Sequence, residues 1–136
     1  MDKLKTRHLP KYLMAKHTTN VSGTIRQTII VPIGLNNKVF IKAESVNATT
    51  VSIICLDAGH ASIGADVKDA VIKLTCAAGD RGTLIRDLTN VIAGVGTNNP
   101  NDGANSGVIR LDGDNLSTIP SSVNVTGLSI DFNGNA

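Results

Sequence analysis

The stretch DAVIKLTCAAGDRGTLIRDLTNVIAG, residues 69–94, decides how the chain is read. In its first half Val71, Ile72, Leu74 and Cys76 form a short apolar run rich in β-branched residues, the composition of a largely buried strand. A turn follows at Ala78-Gly79-Asp80, and the apolar period then changes. Leu84, Ile85, Leu88, Val91 and Ile92 fall at i, i+1, i+4, i+7 and i+8, one continuous stripe on a helix. The spacing predicts an amphipathic helix over about 80–93. Asp80 is placed to accept hydrogen bonds from the first-turn N–H groups, and Gly94 to supply the left-handed residue that ends it.

Working outward, no other segment carries a helix signal of that quality. Thr24 to Val31, Val39-Phe40-Ile41 and Val51 to Leu56 read as strands before it, with Pro32-Ile33-Gly34, Leu35-Asn36-Asn37 and Glu44-Ser45 as punctuation. Ser62 to Lys68 fits either a loop or a short edge strand. After the helix, Val108-Ile109-Arg110-Leu111 and the segment from Val123 to Ile130 read as strands, with Asp112-Gly113-Asp114-Asn115 as a turn and Gly127 at the place of a bulge. Residues 97–107, dense in Asn, Gly and Asp, read as an exposed loop with little to bury. The expected fold is mainly β (α+β): an antiparallel β-sandwich or barrel-like sheet with one helix and an extended N-terminal arm. The expected organisation is a basic arm over 1–20 and a single β-rich domain over 21–136.

Composition agrees with a sheet protein. Of 136 residues 41% are apolar, enough for one core, but Tyr12, Phe40 and Phe132 are the whole aromatic content, so that core must be aliphatic. Glu44 is the only glutamate, while Asn, Thr and Gly abound. No apolar run approaches the roughly 20 residues that cross a bilayer, and no apolar stretch of a secretory signal follows the first basic residues. Cys55 and Cys76 match no zinc or redox spacing, and each sits in an apolar strand. They are expected as buried free thiols, suited to folding in a reducing cytoplasm.

Charge separates the arm from the domain. Lys3, Lys5, Arg7, Lys11 and Lys16 against Asp2 give the first 17 residues a net +4, whereas the whole chain carries only +2. Leu4, Leu9, Tyr12, Leu13 and Met14 lend the segment some apolar grip, and Pro10 interrupts any helix. Two readings stand side by side: a tail without fixed structure, or an arm lying on a neighbouring subunit with Leu9, Tyr12 and Leu13 as anchors. Met14-Ala15-Lys16 would also serve as an internal start, leaving the residues before it dispensable. The charge alone is a weak case for nucleic acid, since no aromatic platform or recognition helix accompanies it.

No chemical constellation stands out. Cys55, Asp57 and His60 lie close together, with Asp66 beyond, but nothing in the spacing holds a nucleophile against an oriented base. Turn aspartates and a surface histidine account for the same letters. Gly79-Asp80-Arg81-Gly82-Thr83 opens a helix, yet lacks the Lys-Ser/Thr of a phosphate-binding loop, and Asp80 would repel phosphate. Asn99 to Gly103 and Asp112 to Asn115 hold oxygen ligands a calcium ion could use, without the glutamate and flanking helices of an EF-hand. The four Asn-X-Ser/Thr triplets arise readily in so Asn- and Thr-rich a chain. No catalytic residue, metal ligand or cofactor site is expected.

Three stretches give the chain its character: the strand-then-helix from Ala70 to Ile92, the Asn/Gly loop 97–107, and the closing segment Gly127-Leu128-Ser129-Ile130-Asp131-Phe132. In this pattern it resembles small virion structural proteins of tailed bacteriophages, of the head-decoration, cement or tail-accessory kind. The resemblance implies a structural protein of the virion, made in the host cytoplasm, whose partners are other virion proteins and copies of itself in a homo-oligomer, with no membrane and no catalysis. On this reading Lys3, Lys5, Arg7 and Lys11 steer the arm to an acidic surface and Leu9, Tyr12 and Leu13 make contact there. The alternative is a small cytoplasmic enzyme or ligand-binding domain using the Cys55-Asp57-His60 region. A sugar-binding surface is a third possibility, disfavoured by the shortage of aromatic faces.

Overall fold

A computed structural model of the chain describes residues 12–17, 27–33, 39–43, 48–56, 70–104 and 106–131. Seven strands and one α-helix lie among them: β1 (Tyr12–His17), β2 (Gln27–Pro32), β3 (Val39–Ala43), β4 (Thr50–Cys55), β5 (Ala70–Thr75), α1 (Arg81–Ile92), β6 (Val108–Asp112) and β7 (Gly127–Asp131). The protein is thus mainly β with a single helix among the described residues, as its composition predicts. The strands form two sheets, one in the order β3-β4-β5-β7 and one in the order β2-β1-β6. The first is antiparallel throughout. The second is mixed: β1 runs antiparallel to β2 but parallel to β6.

In the four-stranded sheet the register collects apolar side chains on one face. Val51 pairs with Leu74 and Ile53 with Ile72, while Leu128 and Ile130 pair with Leu74 and Ile72 from the other side. Val51, Ile53, Cys55, Ala70, Ile72 and Leu74 are all completely buried. Alternate residues on β5, Lys73 and Thr75, face solvent. The helix packs against β3 and β4, and the predicted stripe is the one it buries. Leu84, Leu88 and Val91 are interior, and Ile85 and Ile92 pack partly buried against the same core. Each fully buried side chain of this size contributes about 1.5–3 kcal/mol.

The helix ends as expected and begins differently. Gly94 takes φ 92°, the Val95 N–H donates to the Asn90 carbonyl at 2.9 Å and the Gly94 N–H to Val91 at 3.0 Å, a Schellman closure. At the start, Asp80 occupies the cap position but makes no side-chain capping bond. Its backbone is already helical (φ −101°, ψ −3°), because a 3₁₀ turn over Ala78–Asp80 leads straight into α1. The extended conformation that swings a cap side chain back over the first turn is therefore missing.

The N-terminal arm requires correction. Residues 12–17 are the middle strand of the three-stranded sheet, with Leu13 1% and Ala15 0% exposed. The physical reason is alternation: Leu13 and Ala15 point inward beside Ile29, Val31, Ile109 and Leu111, and Tyr12, Met14 and Lys16 point out. The fold takes up the chain by Tyr12, so a division between 20 and 21 falls inside it. A start at Met14 would discard the buried Leu13. The expected antiparallel arrangement also fails here, since β1 and β6 run side by side in the same direction. The final strand is shorter than expected: it begins at Gly127, which pairs with Thr75 as an ordinary ladder residue. Ser62 to Lys68 and the terminal tail lie outside the described residues.

The cysteines are free and buried, as expected. Cys55 stands opposite Ala70 at one end of the β4–β5 ladder. The Cys76 N–H donates to the Thr49 carbonyl at the other end. Six strand residues, roughly 20 Å, separate the two ends. A disulfide needs Cα atoms within about 7 Å, so the two cannot bridge. Burial pushes the Cys76 thiol up from its ordinary pKa, with Asp80 adding to the rise and Arg81 opposing it. No described helix is long and apolar enough to cross a membrane.

Candidate functional site

Two surfaces of the fold qualify as sites: a cleft beside the C-terminal half of α1, and the outer face of the three-stranded sheet.

The cleft encloses about 340 Å³ between Asp87 and Asn90 of the helix, the 95–99 segment, and Pro120 to Ser122. Its walls are fixed by two carboxylates. Asp87 Oδ2 accepts hydrogen bonds from the Ser121 hydroxyl at 2.7 Å, the Ser122 N–H at 2.9 Å and the Ser122 hydroxyl at 3.0 Å. Arg86 approaches Oδ1 at 3.7 Å. Partial burial by itself would raise the Asp87 pKa. The hydrogen bonds from Ser122 and Ser121, with the Arg86 charge, outweigh it and hold the carboxyl below its ordinary range.

Asp102 organises the other wall. It is 3% exposed; Oδ2 accepts from the Thr97 N–H and hydroxyl, the latter at 2.7 Å, and Oδ1 accepts from the Ala104 N–H at 2.8 Å. The Asn99 and Asn101 amides both donate to the Thr118 carbonyl, at 3.1 and 2.9 Å. The Arg110 N–H donates to the Asn101 carbonyl at 3.0 Å, and Asp102 forms an isolated bridge to Ile109. The 97–107 loop, expected as exposed with little to bury, does expose Thr97, Asn98, Pro100 and Ser106, but Asp102, Gly103 and Gly107 are buried. The Asn and Asp side chains replace the backbone ladder with a network of their own.

Among the described residues, the lining of this cleft holds no histidine, cysteine or lysine, and its two serine hydroxyls donate to the Asp87 carboxylate, whose pKa lies below its ordinary value. The other side-chain groups weighed from the sequence are placed as follows. Cys55 is completely buried and its thiol donates to the Ile53 carbonyl at 3.9 Å, while Asp57, His60 and Asp66 lie outside the described residues. Both Asp102 oxygens already accept protein donors, so the Asn99–Gly103 segment is built as a self-contained turn. Asp112 Oδ1 accepts from the Asp114 N–H at 2.9 Å in a tight turn, and Oδ2 lies 3.9 Å from Lys16 Nζ.

The second surface follows from strand register. On the outer face Pro32, Tyr12 and Val108 form one row across the sheet, Ile30, Met14 and Arg110 the next, and Thr28, Lys16 and Asp112 the last. One end is apolar and the other polar. Ile30 is 60% and Tyr12 46% exposed, two of the three exposed large hydrophobic side chains among the described residues. Arg110 lies over Met14, its Nη1 3.9 Å from Sδ. Of the residues expected to contact partners, Tyr12 is on this face. Leu13, the next residue, points the other way into the core and is withdrawn as an anchor, because strand alternation separates the two. Lys3, Lys5, Arg7, Leu9 and Lys11 lie outside the described residues.

Sequence reasoning missed Ile30, Met14 and Val108 as surface residues. The clue was available in Thr28-Ile29-Ile30-Val31, where four residues without a charge must place two on each face of a strand. Comparison with protein-family models, with curated proteins and with solved structures finds no match for this chain.

Proposed function

We propose that the protein is a non-catalytic structural component of a virus particle, made in the host cytoplasm and held in place by contacts with copies of itself and with other virion proteins. The observation that carries this reading is the outer face of the β2-β1-β6 sheet, where Ile30, Tyr12, Met14, Val108 and Pro32 form an apolar area at one end of a face otherwise polar. An exposed patch of this kind on a small domain marks a place where another surface sits. Covering it removes apolar area from water, and repetition of the same weak contact around a symmetric particle multiplies its effect. The cleft beside α1 has no histidine, cysteine or lysine in its described lining. Buried free thiols suit synthesis in a reducing compartment.

Peptide mass spectrometry of virus particles purified from the source of this chain tests the reading. A fixed copy number per particle, retained through repeated gradient purification, supports it. Loss of the protein from particles at the first gradient removes it.

A further inference from the structure

The cleft beside α1 has walls whose polar groups are occupied and a rim whose polar groups are not. Thr97 donates to Asp102 and accepts from the Asn99 N–H, while the Asn99 amide serves the Thr118 carbonyl and the Asn101 N–H. The Ser121 hydroxyl accepts from the Val123 N–H and donates to Asp87 Oδ2. Three groups of the lining are left over. The Asn90 and Asn98 side-chain amides make no hydrogen bond among the described residues, and Asp87 Oδ1 is free of the serines because all three of their donors go to Oδ2. Val95, 53% exposed, and Pro120 give the same cleft an apolar side.

The charge of this arrangement has one sign. Among the described residues Asp87 is the only charged member of the lining, and the cleft lies along the C-terminal half of α1, where the helix dipole is negative. Arg86, 3.7 Å from Oδ1, stands outside the lining with its side chain 67% exposed, so water competes for it and its hold on the carboxylate is loose. An anion in the cleft would face Asp87, and a neutral molecule would strip water from the carboxylate without replacing it. A cation with N–H donors supplies both charge and hydrogen bonds. We propose that this cleft binds a primary alkylammonium group, its N–H donors on Asp87 Oδ1 and the amide oxygens of Asn90 and Asn98, its alkyl stem against Val95 and Pro120. Three oxygen acceptors suit the three donors of an ammonium. The volume of about 340 Å³ is at the small end for ligand sites, which suits a stem of a few carbons. A free amine and the lysine side chain of a partner protein present the same group. The inference goes beyond the assembly reading and does not rest on it.

An NMR titration of the full-length, isotope-labelled protein tests this, with butylammonium as probe and butanol and butyrate as its neutral and anionic counterparts. Butylammonium is expected to shift the Asn90 and Asn98 side-chain amide signals and the Ser122 N–H signal saturably, and its counterparts to leave them in place. Asp87→Asn is expected to weaken the binding at least about tenfold, the loss of one charge-assisted contact. Arg86→Gln, at an exposed side chain, removes the competing cation and is expected to tighten binding about two- to fivefold. That variant keeps the test sound should Asp87→Asn disturb the serine wall. Putrescine and Nα-acetyl-lysine amide then separate the sources: whichever binds tighter marks the occupant as a free amine or as a protein side chain. Shifts that never saturate, equal shifts with butanol, or binding that Arg86→Gln leaves unchanged or weakens would each overturn the proposal. The particle inventory stands apart as the test of the assembly reading.

Discussion

In the β3-β4-β5-β7 sheet two of the three pairings join strands that follow one another in the chain, and every pair is antiparallel. In the β2-β1-β6 sheet the central strand comes first, and its parallel partner brings together residues as far apart as Met14 and Arg110, separated by 96 positions. Parallel neighbours need a crossover, and this one includes β2, three strands of the four-stranded sheet (β3, β4 and β5) and the helix between its ends. The two sheets also differ outside. The four-stranded sheet shows Lys73 and Thr75 to solvent, whereas the three-stranded sheet shows Tyr12 and Ile30. One sheet is organised by local sequence around the helix. The other is completed by a distant strand and keeps an apolar patch outward at one end of a polar face.

The sharpest way to break this comparison is at β1. Leu13→Ala removes a side chain that is 1% exposed and wedged between Val31 and Ile109 on the paired strands. The expected loss is about 2–5 kcal/mol in urea unfolding. Tyr12→Ala, one residue away on the outer face, should cost less than about 1 kcal/mol, as exposed substitutions do. Equal losses at the two positions would mean that β1 lacks the inside–outside alternation described above. For the same reason, truncation at residue 20 reports on folding: it deletes the middle strand of a sheet, so loss of assembly in that variant would say nothing about an arm.

The contrast between the sheets also marks what the sequence could tell. The helix stripe Leu84, Ile85, Leu88, Val91 and Ile92, its Gly94 end and the apolar runs of β4 and β5 are period signals contained within a few turns of chain, and they were legible. The strand β1 was not, because Leu13-Met14-Ala15-Lys16 is too short and too basic in its surroundings to stand out, and its pairing depends on β6. The loop 97–104 is legible as a loop, but its ties are hidden for a related reason. Its stability comes from Asn99 and Asn101 reaching the Thr118 carbonyl, 19 and 17 residues away, which no local pattern announces. The outer-face site was hidden because an apolar residue reads as core until the register says which face it occupies.

The loop network supplies the next effect. Asp102→Ala removes a buried carboxylate and leaves the Thr97 N–H and hydroxyl and the Ala104 N–H, which are exposed or half-buried, to water. A loss of about 1–2 kcal/mol is expected, the net worth of hydrogen bonds to a charged acceptor whose donors water can reach. Amide exchange at Thr97 and Ala104 should accelerate well before global unfolding, and exchange unchanged there would show that the loop is held by something else. Of similar size is Gly113→Ala, at the joint between the sheets. A Cβ there would stand 2.9 Å from the Lys16 carbonyl oxygen, 2.6 Å from His17 Cδ2 and 3.1 Å from Leu128 Cδ2. The Gly113 N–H donates to that same Lys16 carbonyl at 2.7 Å, so the backbone cannot withdraw without losing the bond. About 1–2 kcal/mol of destabilisation is expected in thermal or urea melts, and a neutral result would show that the β6–β7 turn yields freely.

The smallest effect separates the cleft from the sheets by pH. Asp87 ties α1 to the segment at Ser121 and Ser122, and its pKa in the folded protein lies below the ordinary value. A carboxyl whose folded pKa is depressed contributes stability above its unfolded pKa, near 3.9, and loses that contribution as pH falls through the folded value. Asp87→Asn retains an oxygen acceptor for the Ser122 N–H and removes the charge, so the expected cost at neutral pH is about 1 kcal/mol. The gap between wild type and variant should then close in urea melts as the pH is taken from 6 to below the ordinary carboxylate range (about pH 4 and under). The sheets contribute little to that difference, because the core of both is aliphatic and does not titrate. A gap that persists unchanged at the lowest pH would place the Asp87 contribution in its shape and packing instead of its charge, and the cleft would then be held together as the sheets are.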